Sequence, residues 1–138
     1  RDGFRVRCVG LLSRFSRELQ KIMQNAEKET ANLQGPTLAL ALSYGGRAEI
    51  LDAANRALAS GEKRLDERSF RKYLWTRDLP DPDLIIRTSG EKRLSGFLPW
   101  QGVYSELFFT KTYWPALSRK EFFGILEEFG ERERRMGK

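Results

Sequence analysis

Residues 87–101 are the stretch of this sequence that is most informative about its chemistry. Arg87 and Arg93 offer planar guanidinium donors that match phosphate oxygens two at a time. Hydroxyl side chains lie between and beside them, and Gly90 would let backbone amides approach an anion closely. A short apolar segment precedes Arg87, and ligands of open α/β sheets lie just beyond the carboxyl ends of parallel strands. The stretch therefore predicts a phosphate or diphosphate pocket in which the heads of Arg87, Arg93 and Ser95 lie within about 5–8 Å of one another.

The composition narrows the range of partners and mechanisms. The 138 residues include 40% apolar and 12% aromatic side chains, enough for one modest domain with a core. Because the sequence contains no histidine, it cannot itself supply an imidazole base or a histidine metal ligand. The net charge of +6 suits anionic partners, but charges alternate in sign and no basic tract is interleaved with aromatics. We therefore expect small phosphorylated substrates and no nucleic acid. The single cysteine, Cys8, lies in an apolar run and is predicted to be a buried strand residue.

Hydrophobic periodicity predicts strands alternating with helices. The predicted strands cover 4–9, 38–42, 84–86 and 107–109, and the longer helices cover 15–30, a segment ending near 59, and a segment beginning at Ser118. Asp66 is predicted to cap a short helix, and 118–121 has the pattern of a capping box. The predicted inward residues of the second and last helices are Ile50, Leu51, Ala54, Leu58, Phe122, Ile125, Leu126 and Phe129. This alternation predicts one α/β domain over 1–138, with a parallel β-sheet flanked by helices.

Longer motifs in the sequence resemble a known family. Residues 87–109, RTSGEKRLSGFLPWQGVYSELFF, resemble the signature of the cis-prenyltransferases, the undecaprenyl diphosphate synthase family. SYGGR at 43–47 and RERRMG at 132–137 agree, so that the resemblance covers essentially the whole chain. Family members also carry an amino-terminal Asp-Gly-Asn-Gly-Arg block whose aspartate handles magnesium, and that block does not occur in this sequence. The resemblance therefore implies the carboxyl-terminal portion of such an enzyme, with the principal catalytic aspartate outside this chain.

The resemblance implies a reaction and a set of substrate contacts. The family condenses isopentenyl diphosphate with an allylic prenyl diphosphate, forms cis double bonds and releases diphosphate. By resemblance, Arg87, Arg93 and Ser95 bind isopentenyl diphosphate. This implied role agrees with the anion-binding role that their residue types predict. Arg135 and Gly137 match an Arg-x-Gly motif that reaches a phosphate, in several members across a dimer interface. This chain would then hold the isopentenyl diphosphate site and be inactive alone.

Glu106 is the metal-binding candidate that the resemblance supplies. It matches an acidic residue implicated in Mg²⁺ binding near the dimer interface, which makes Mg²⁺ the expected cofactor. The dense aromatic run over 100–109 and the family's habitual dimer together predict a homodimer. The implied location is cytoplasmic, with at most peripheral membrane association.

Structural roles remain open for each of these residues. Arg87 and Arg93 could form ion pairs with Glu91 or Glu106 on a solvated surface, and Ser95 could cap the following turn. A carboxylate in an aromatic strand is as readily a structural ion-pair partner as a ligand, so both roles stay open for Glu106. The SYGGR segment could be only a strand-to-helix turn, although glycines at a helix start can also meet an anion.

Departures from the family pattern qualify the resemblance. Family members often have asparagine at the position of Ser43, asparagine or aspartate at that of Gly96, and in some cases histidine at that of Lys92. A histidine–metal contact therefore cannot be carried over to this chain. The alternative function is a non-catalytic accessory subunit of a cis-prenyltransferase complex. The retention of Arg87 and Glu106, together with Arg93 and Ser95, argues against it.

Overall fold

The computed structural model describes residues 3–132, which group into two compact units that divide between Leu79 and Pro80. The first unit contains β1 (Arg5–Val9), α1 (Arg17–Thr30), β2 (Thr37–Ala41), α2 (Gly46–Ala59) and α3 (Glu67–Arg71). The second contains β3 (Leu84–Arg87), β4 (Glu106–Phe109) and α4 (Arg119–Glu131). The predicted order of strands and helices is confirmed. The strands pair in parallel, which confirms the α/β class, but those of the described residues form two two-stranded sheets instead of one. The prediction of a single domain stays a prediction.

In the first unit, helix α1 closes the outer edge of strand β1. Strands β1 and β2 pair in register from Arg5 opposite Thr37 to Val9 opposite Ala41. On the other side of β1, the Val6 amide donates to Thr30 Oγ1 at 2.9 Å, and the Cys8 amide donates to Glu27 Oε1 at 2.7 Å. Side chains of α1 thus take the place of a neighbouring strand. Strand β2 is exposed at all five of its residues.

The core of the first unit lies between α2 and α3. Its buried members are Ala53, Phe70 and Leu74, and partly buried apolar residues of α2 and of the segments on either side of α3 pack against them. Asp66 caps α3 as predicted, because its carboxylate accepts from the Ser69 amide at 2.7 Å while Ser69 Oγ accepts from the Asp66 amide at 2.9 Å. This reciprocal cap fixes the start of a helix that is too short to be stable alone.

The predicted inner face of α2 was partly wrong. The side chains of Ile50 and Ala54 pack on the core, but Leu51 and Leu58 are exposed. The residues that α2 buries are Gly46, Glu49, Ala53 and Ala57. Three of these four residues are small, so this stripe of α2 leaves room for neighbouring elements to approach closely.

In the second unit, helix α4 is attached to β4 near both of its ends. Near its start, Thr110 Oγ1, just after β4, donates to Glu121 Oε1 at 2.5 Å. Just past its end, Arg132 Nη1 donates to Glu106 Oε2, at the start of β4, at 2.8 Å. Helix α4 therefore runs back along β4 in the opposite direction. Eleven helical steps cover about 16 Å and four strand steps about 13 Å, so the two spans match.

Two expectations for α4 need correction. Ser118 caps the helix by accepting from the Glu121 amide at 3.1 Å, but the Glu121 carboxylate bonds to Thr110 instead of completing a capping box. The apolar face is also less buried than predicted, because no residue of α4 is buried and Phe122 is exposed. The other predicted inward residues, Ile125, Leu126 and Phe129, are partly buried.

Candidate functional site

The loop after β3 carries the predicted anion-binding residues and is held by backbone hydrogen bonds. The Thr110 amide donates to the Arg87 carbonyl at 2.9 Å, and beyond Arg87 the Ser89 and Gly90 amides donate to the carbonyls of Thr112 and Thr110 at 2.9 and 2.8 Å. The chain that follows β3 therefore stays paired with the chain that follows β4. Arg87 is the last residue of β3 and is half-buried, so the sheet fixes the position of its backbone.

Five residues of this loop have positive φ angles, and Leu98, at +47°, is one of them. Gly90 and Gly96 lie at +77° and +79°, where glycine meets no steric penalty. Ser89 and Ser95 lie at +69° and +49°, in a region that costs ordinary residues about 1 kcal/mol or more. Backbone strain of this kind is concentrated at ligand-binding loops. The positive φ also explains glycine at position 96.

Arg93 lies in the exposed part of the loop and pairs with a neighbouring carboxylate. Its Nη1 donates to Glu91 Oε2, and its side chain is largely exposed. The ion pair with Glu91, which the sequence left open as a role for Arg93, is therefore present in the structure. An exposed pair of this kind is worth little, so a phosphate could displace Glu91 at small cost. Arg87, Arg93 and Ser95 share one loop of one unit, while the predicted spacing of their heads stays a prediction.

Glu106 is bound to Arg132 in an ion pair that also involves an aromatic ring. Besides the bond from Arg132 Nη1 to Glu106, Arg132 Nη2 donates to Glu128 Oε1 at 2.7 Å. The guanidinium carbon lies 3.8 Å from the centre of the Phe108 ring, within the range of a cation–π contact. The hydrogen bonds to Glu106 and Glu128 raise the pKa of Arg132 above its ordinary value. The structure thus contains the ion pair that the sequence left open for Glu106.

The fit of a magnesium ion to Glu106 depends on this ion pair. No group of three or more acidic or cysteine side chains that could hold a metal occurs within residues 3–132. Glu106 is a partly exposed carboxylate, which suits Mg²⁺, an ion often bound by only one or two protein carboxylates together with substrate phosphates and water. Glu106 can therefore supply one ligand, provided that Arg132 moves away from the coordinating oxygen. Magnesium binding by Glu106 stays a prediction.

A second polar cluster surrounds the SYGGR turn, and it was not anticipated from the sequence. The fully buried carboxylate of Glu49 accepts from the Tyr44 hydroxyl and from the amide and hydroxyl of Thr76, at 3.0 and 2.9 Å for the last two. The Tyr44 ring contacts Trp75 edge to face at 6.0 Å, and Trp75 Nε1 donates to Asp52 Oδ2 at 2.7 Å. The signal that could have revealed it is the position of Glu49, one turn before Ala53 on the small-residue stripe of α2.

This cluster fixes the turn between β2 and α2. Ser43 adopts a φ of +47°, and Gly45 is the N-cap of α2 without a side-chain cap bond. Tyr44 in the turn donates a hydrogen bond to Glu49 of α2, so the turn is held by a contact within the first unit. A strand-to-helix turn thus explains the conformation of the SYGGR segment. An anion-binding role for its glycines stays a prediction.

The first unit also has a polar cavity of about 250 Å³ at the end of β1. Its lining includes Cys8, Glu27 and Trp75, and two arginines that both pair with Asp78, namely Arg7 at 3.7 Å and Arg77 at 3.8 Å. Cys8 is partly buried, and this burial together with the nearby Glu27 raises the pKa of its thiol. The cations of the cavity are paired with Asp78, so the cavity has no excess of positive groups with which to hold an anion.

Two of the predicted site residues fall beyond the part of the chain that the structure describes. Arg135 and Gly137, of the Arg-x-Gly motif, lie after residue 132. Their contribution to phosphate binding stays a prediction. Within the described residues, no helix is long and apolar enough to cross a membrane.

Comparisons with known proteins agree with the motifs. A family model described as "Putative undecaprenyl diphosphate synthase" matches residues 1–137. An isoprenyl transferase of Thermotoga maritima is 45% identical over 99% of this chain and 60% of its own length. One from Fusobacterium nucleatum is 49% identical over 87% of this chain and 52% of its own length. The chain thus spans little more than half the length of these relatives.

Solved structures show the same fold. A crystal structure described as a "probable undecaprenyl diphosphate synthase" from Campylobacter jejuni has a TM-score of 0.88 and 38% identity, covering 99% of this chain and 64% of the other. Lavandulyl diphosphate synthase from Lavandula x intermedia, in complex with dimethylallyl diphosphate, has a TM-score of 0.90 and 31% identity, covering 98% of this chain and 61% of the other.

Proposed function

Since the chain belongs to the undecaprenyl diphosphate synthase family, the cis-prenyltransferases, we propose that it is the isopentenyl diphosphate-binding part of an enzyme that elongates prenyl chains. The reaction joins isopentenyl diphosphate to an allylic prenyl diphosphate. A carbon–carbon bond forms between the two substrates, the allylic carbon–oxygen bond breaks, and diphosphate leaves with the bonding electron pair. A proton is then lost from the isopentenyl unit to give the new double bond.

The observation that carries the proposal is the loop after β3. It places Arg87 at the end of a parallel strand, ties the next residues to the chain after β4, and holds Ser95 in a strained conformation. Arg93 adds an exposed guanidinium whose present partner, Glu91, is a surface carboxylate. In this proposal the diphosphate displaces Glu91 and receives charge-assisted bonds from both arginines and the Ser95 hydroxyl.

Binding the diphosphate of isopentenyl diphosphate in this way positions the rest of that substrate for reaction. A fixed diphosphate orients the double bond toward the allylic carbon, and such orientation contributes a large part of the rate of two-substrate reactions. The loop is suited to this task because its two ends are attached to neighbouring strands. The family is generally Mg²⁺-dependent, and bound Mg²⁺ would neutralise the charge of the departing diphosphate. Glu106 is the carboxylate of this chain that we assign to it, and Arg135 and Gly137 are assigned to a phosphate.

The proposal includes assembly and location. The second copy of the chain is expected to contact residues 100–109, where Val103 and Tyr104 are each 67% exposed. Such apolar exposure is typical of a subunit interface. A cytoplasmic location is part of the same proposal, because both diphosphate substrates are highly charged. At most, the protein would associate with a membrane from its surface.

The proposal is tested by elongation assays on this chain and on the full-length protein. We expect the full-length protein to incorporate radiolabelled isopentenyl diphosphate into a primer-dependent product when Mg²⁺ is present. We expect residues 1–138 alone to give no product, because the aspartate block that handles the allylic diphosphate is not in this sequence.

Two results would contradict the proposal. Sustained turnover by residues 1–138 alone would show that the catalytic groups lie within this chain. A full-length protein that is inactive alone but stimulates a separate cis-prenyltransferase would establish the accessory-subunit alternative.

A further inference from the structure

Backbone pairing continues past the ends of β3 and β4 and occupies amides of the loop after β3. The Ser89 and Gly90 amides donate to the carbonyls of Thr112 and Thr110 at 2.9 and 2.8 Å. The sequence predicted that Gly90 would let backbone amides approach an anion, but these two amides already have partners within the protein. A diphosphate in this loop must therefore depend more on side chains than the sequence suggested.

The same pairing places Lys111 beside the loop. Lys111 lies between the two residues that pair with Ser89 and Gly90, and a methyl group built on Gly90 would lie 4.0 Å from the Lys111 Cα. Because glycine has no side chain, nothing on residue 90 stands between the two backbones. A lysine side chain extends about 6 Å from its Cα, so the Lys111 ammonium can reach a ligand bound over Gly90.

The Lys111 ammonium has no partner to give up. Lys111 is exposed, and within residues 3–132 its side chain forms no hydrogen bond or ion pair. The carboxylate of Glu121 lies next to this segment, where it accepts from the Thr110 hydroxyl at 2.5 Å. A diphosphate would have to displace Glu91 from Arg93, whereas it would displace only water from Lys111.

We propose that Lys111 is a further binding residue for the diphosphate group, which it reaches from the segment after β4. The inference rests on the proposed function, because it requires that the loop after β3 binds isopentenyl diphosphate through Arg87 and Arg93. Lysine is a flexible point charge, so it can contact a ligand with many anionic oxygens without the fixed geometry of a guanidinium. Since a diphosphate carries more negative charge than a monophosphate, this third cation should favour the diphosphate.

The expected effect is modest but specific. An exposed charge contact is worth a factor of roughly two to five in an equilibrium constant, so Lys111→Gln should weaken binding of isopentenyl diphosphate by that factor. Lys111→Arg keeps the charge and should bind within about twofold of the wild type. The loss in Lys111→Gln should be smaller for isopentenyl monophosphate, because that ligand has less charge for the ammonium to attract.

Lys120 provides a matched control in the same unit. It is an exposed residue of α4, and its side chain forms no hydrogen bond or ion pair among the described residues. Lys120→Gln removes the same charge but lies outside the segment that pairs with the loop. It should leave binding unchanged if Lys111 contacts the ligand, and should match Lys111→Gln if only the net charge of the unit matters.

The experiment measures ligand binding to the full-length protein by equilibrium dialysis. Radiolabelled isopentenyl diphosphate and isopentenyl monophosphate are the two ligands, at fixed Mg²⁺ and with an allylic thiolodiphosphate, a slowly reacting analogue, in the place of the primer. The variants are Lys111→Gln, Lys111→Arg, Lys120→Gln and Arg93→Ala. We expect Lys111→Gln to weaken the diphosphate two- to fivefold and the monophosphate less, and we expect Lys111→Arg and Lys120→Gln to resemble the wild type.

Four results would overturn the inference. These are wild-type binding in Lys111→Gln, an equal loss in Lys120→Gln, an equal loss in Lys111→Arg, and an equal loss for the two ligands. If Arg93→Ala weakens binding while Lys111→Gln does not, the loop binds the diphosphate and only the role of Lys111 is wrong. If neither substitution weakens binding, or if the wild type binds no isopentenyl diphosphate, the proposed function of the loop fails together with the inference.

Discussion

Glu49 accepts two hydrogen bonds from Thr76, one from its amide at 3.0 Å and one from its hydroxyl at 2.9 Å. This pair joins helix α2 to the segment after α3, and the carboxylate is fully buried. Glu49→Ala should lower the free energy of unfolding by about 3 kcal/mol, because it leaves several buried donors without their acceptor. Thr76→Val, which keeps the amide bond, should cost about 1 kcal/mol. Urea denaturation measures both.

The control for this pair is Glu29→Ala, at an exposed position of α1, which should change stability by less than about 0.5 kcal/mol. If Glu49→Ala were as mild as Glu29→Ala, the buried cluster would not stabilise the first unit.

Ser43 should be a site of easy stabilisation. Its φ of +47° is costly for serine and better tolerated by asparagine. Ser43→Asn should raise the free energy of unfolding by up to about 1 kcal/mol, whereas Ser43→Val should lower it by at least as much. The same asparagine at Ser13, in a short 3₁₀ turn, is the matched control and should bring no gain. Equal effects at both positions would show that the left-handed backbone is not the cause.

Cys8 should react slowly with alkylating reagents near neutral pH. Burial and the neighbouring Glu27 raise the pKa of the thiol above its ordinary value, so the reactive thiolate is scarce at pH 7 and increases only at alkaline pH. Glu27→Gln should speed alkylation, since it removes the negative charge but keeps an acceptor for the Cys8 amide. The reaction should stay slower than that of a free thiol, because burial is the larger cause. Iodoacetamide kinetics from pH 7 to 10 measure this, with Glu18→Gln as control.

Arg87 and Arg93 should contribute separately to the use of isopentenyl diphosphate. In the full-length protein, replacing either by alanine should weaken kcat/KM for this substrate by about 1.5–3 kcal/mol, the worth of a charged hydrogen bond. The KM for the allylic primer should change little. Arg119→Ala, in the same unit but outside the loop, is the control. Wild-type kinetics in both loop variants would show that this loop does not bind the diphosphate.

The exposed apolar residues 103 and 104 should mediate self-association. Val103→Asp and Tyr104→Glu place a charge where a second copy is expected, so each should shift the sedimentation profile toward the monomer. Leu51→Asp is a matched control, because Leu51 is 65% exposed on α2 in the other unit. A wild type that stays monomeric at high concentration would contradict this prediction.

The sequence predicted the elements well because their signals are local. Caps such as Asp66 and Ser118, and the break after 59, are visible in a few neighbouring residues, and the structure confirms them. The side chain that a helix buries depends on its partner, and that is why Leu51 and Leu58 were misplaced while Glu49 went unnoticed. At the candidate site, residue types indicated anion chemistry, and the pair of Arg93 with nearby Glu91 was among the alternatives that the sequence left open. The partner of Glu106 is Arg132, 26 residues away, and that pair depends on how helix α4 folds back along β4.

The side chains that bond to the outer edge of strand β1 also determine on which side a further strand could join the sheet of the first unit. With Thr30 and Glu27 already bonded to the Val6 and Cys8 amides, any strand added on that side would first have to displace two hydrogen bonds. Within residues 3–132 no side chain forms such hydrogen bonds to the outer edge of strand β2, and its apolar residues Leu38 and Leu40 are exposed. A further strand, from the same polypeptide or from a neighbouring molecule, should therefore join beside β2. If nothing covers that edge, self-templating aggregation should begin there, and lysine substitutions along β2 are the natural means to suppress it.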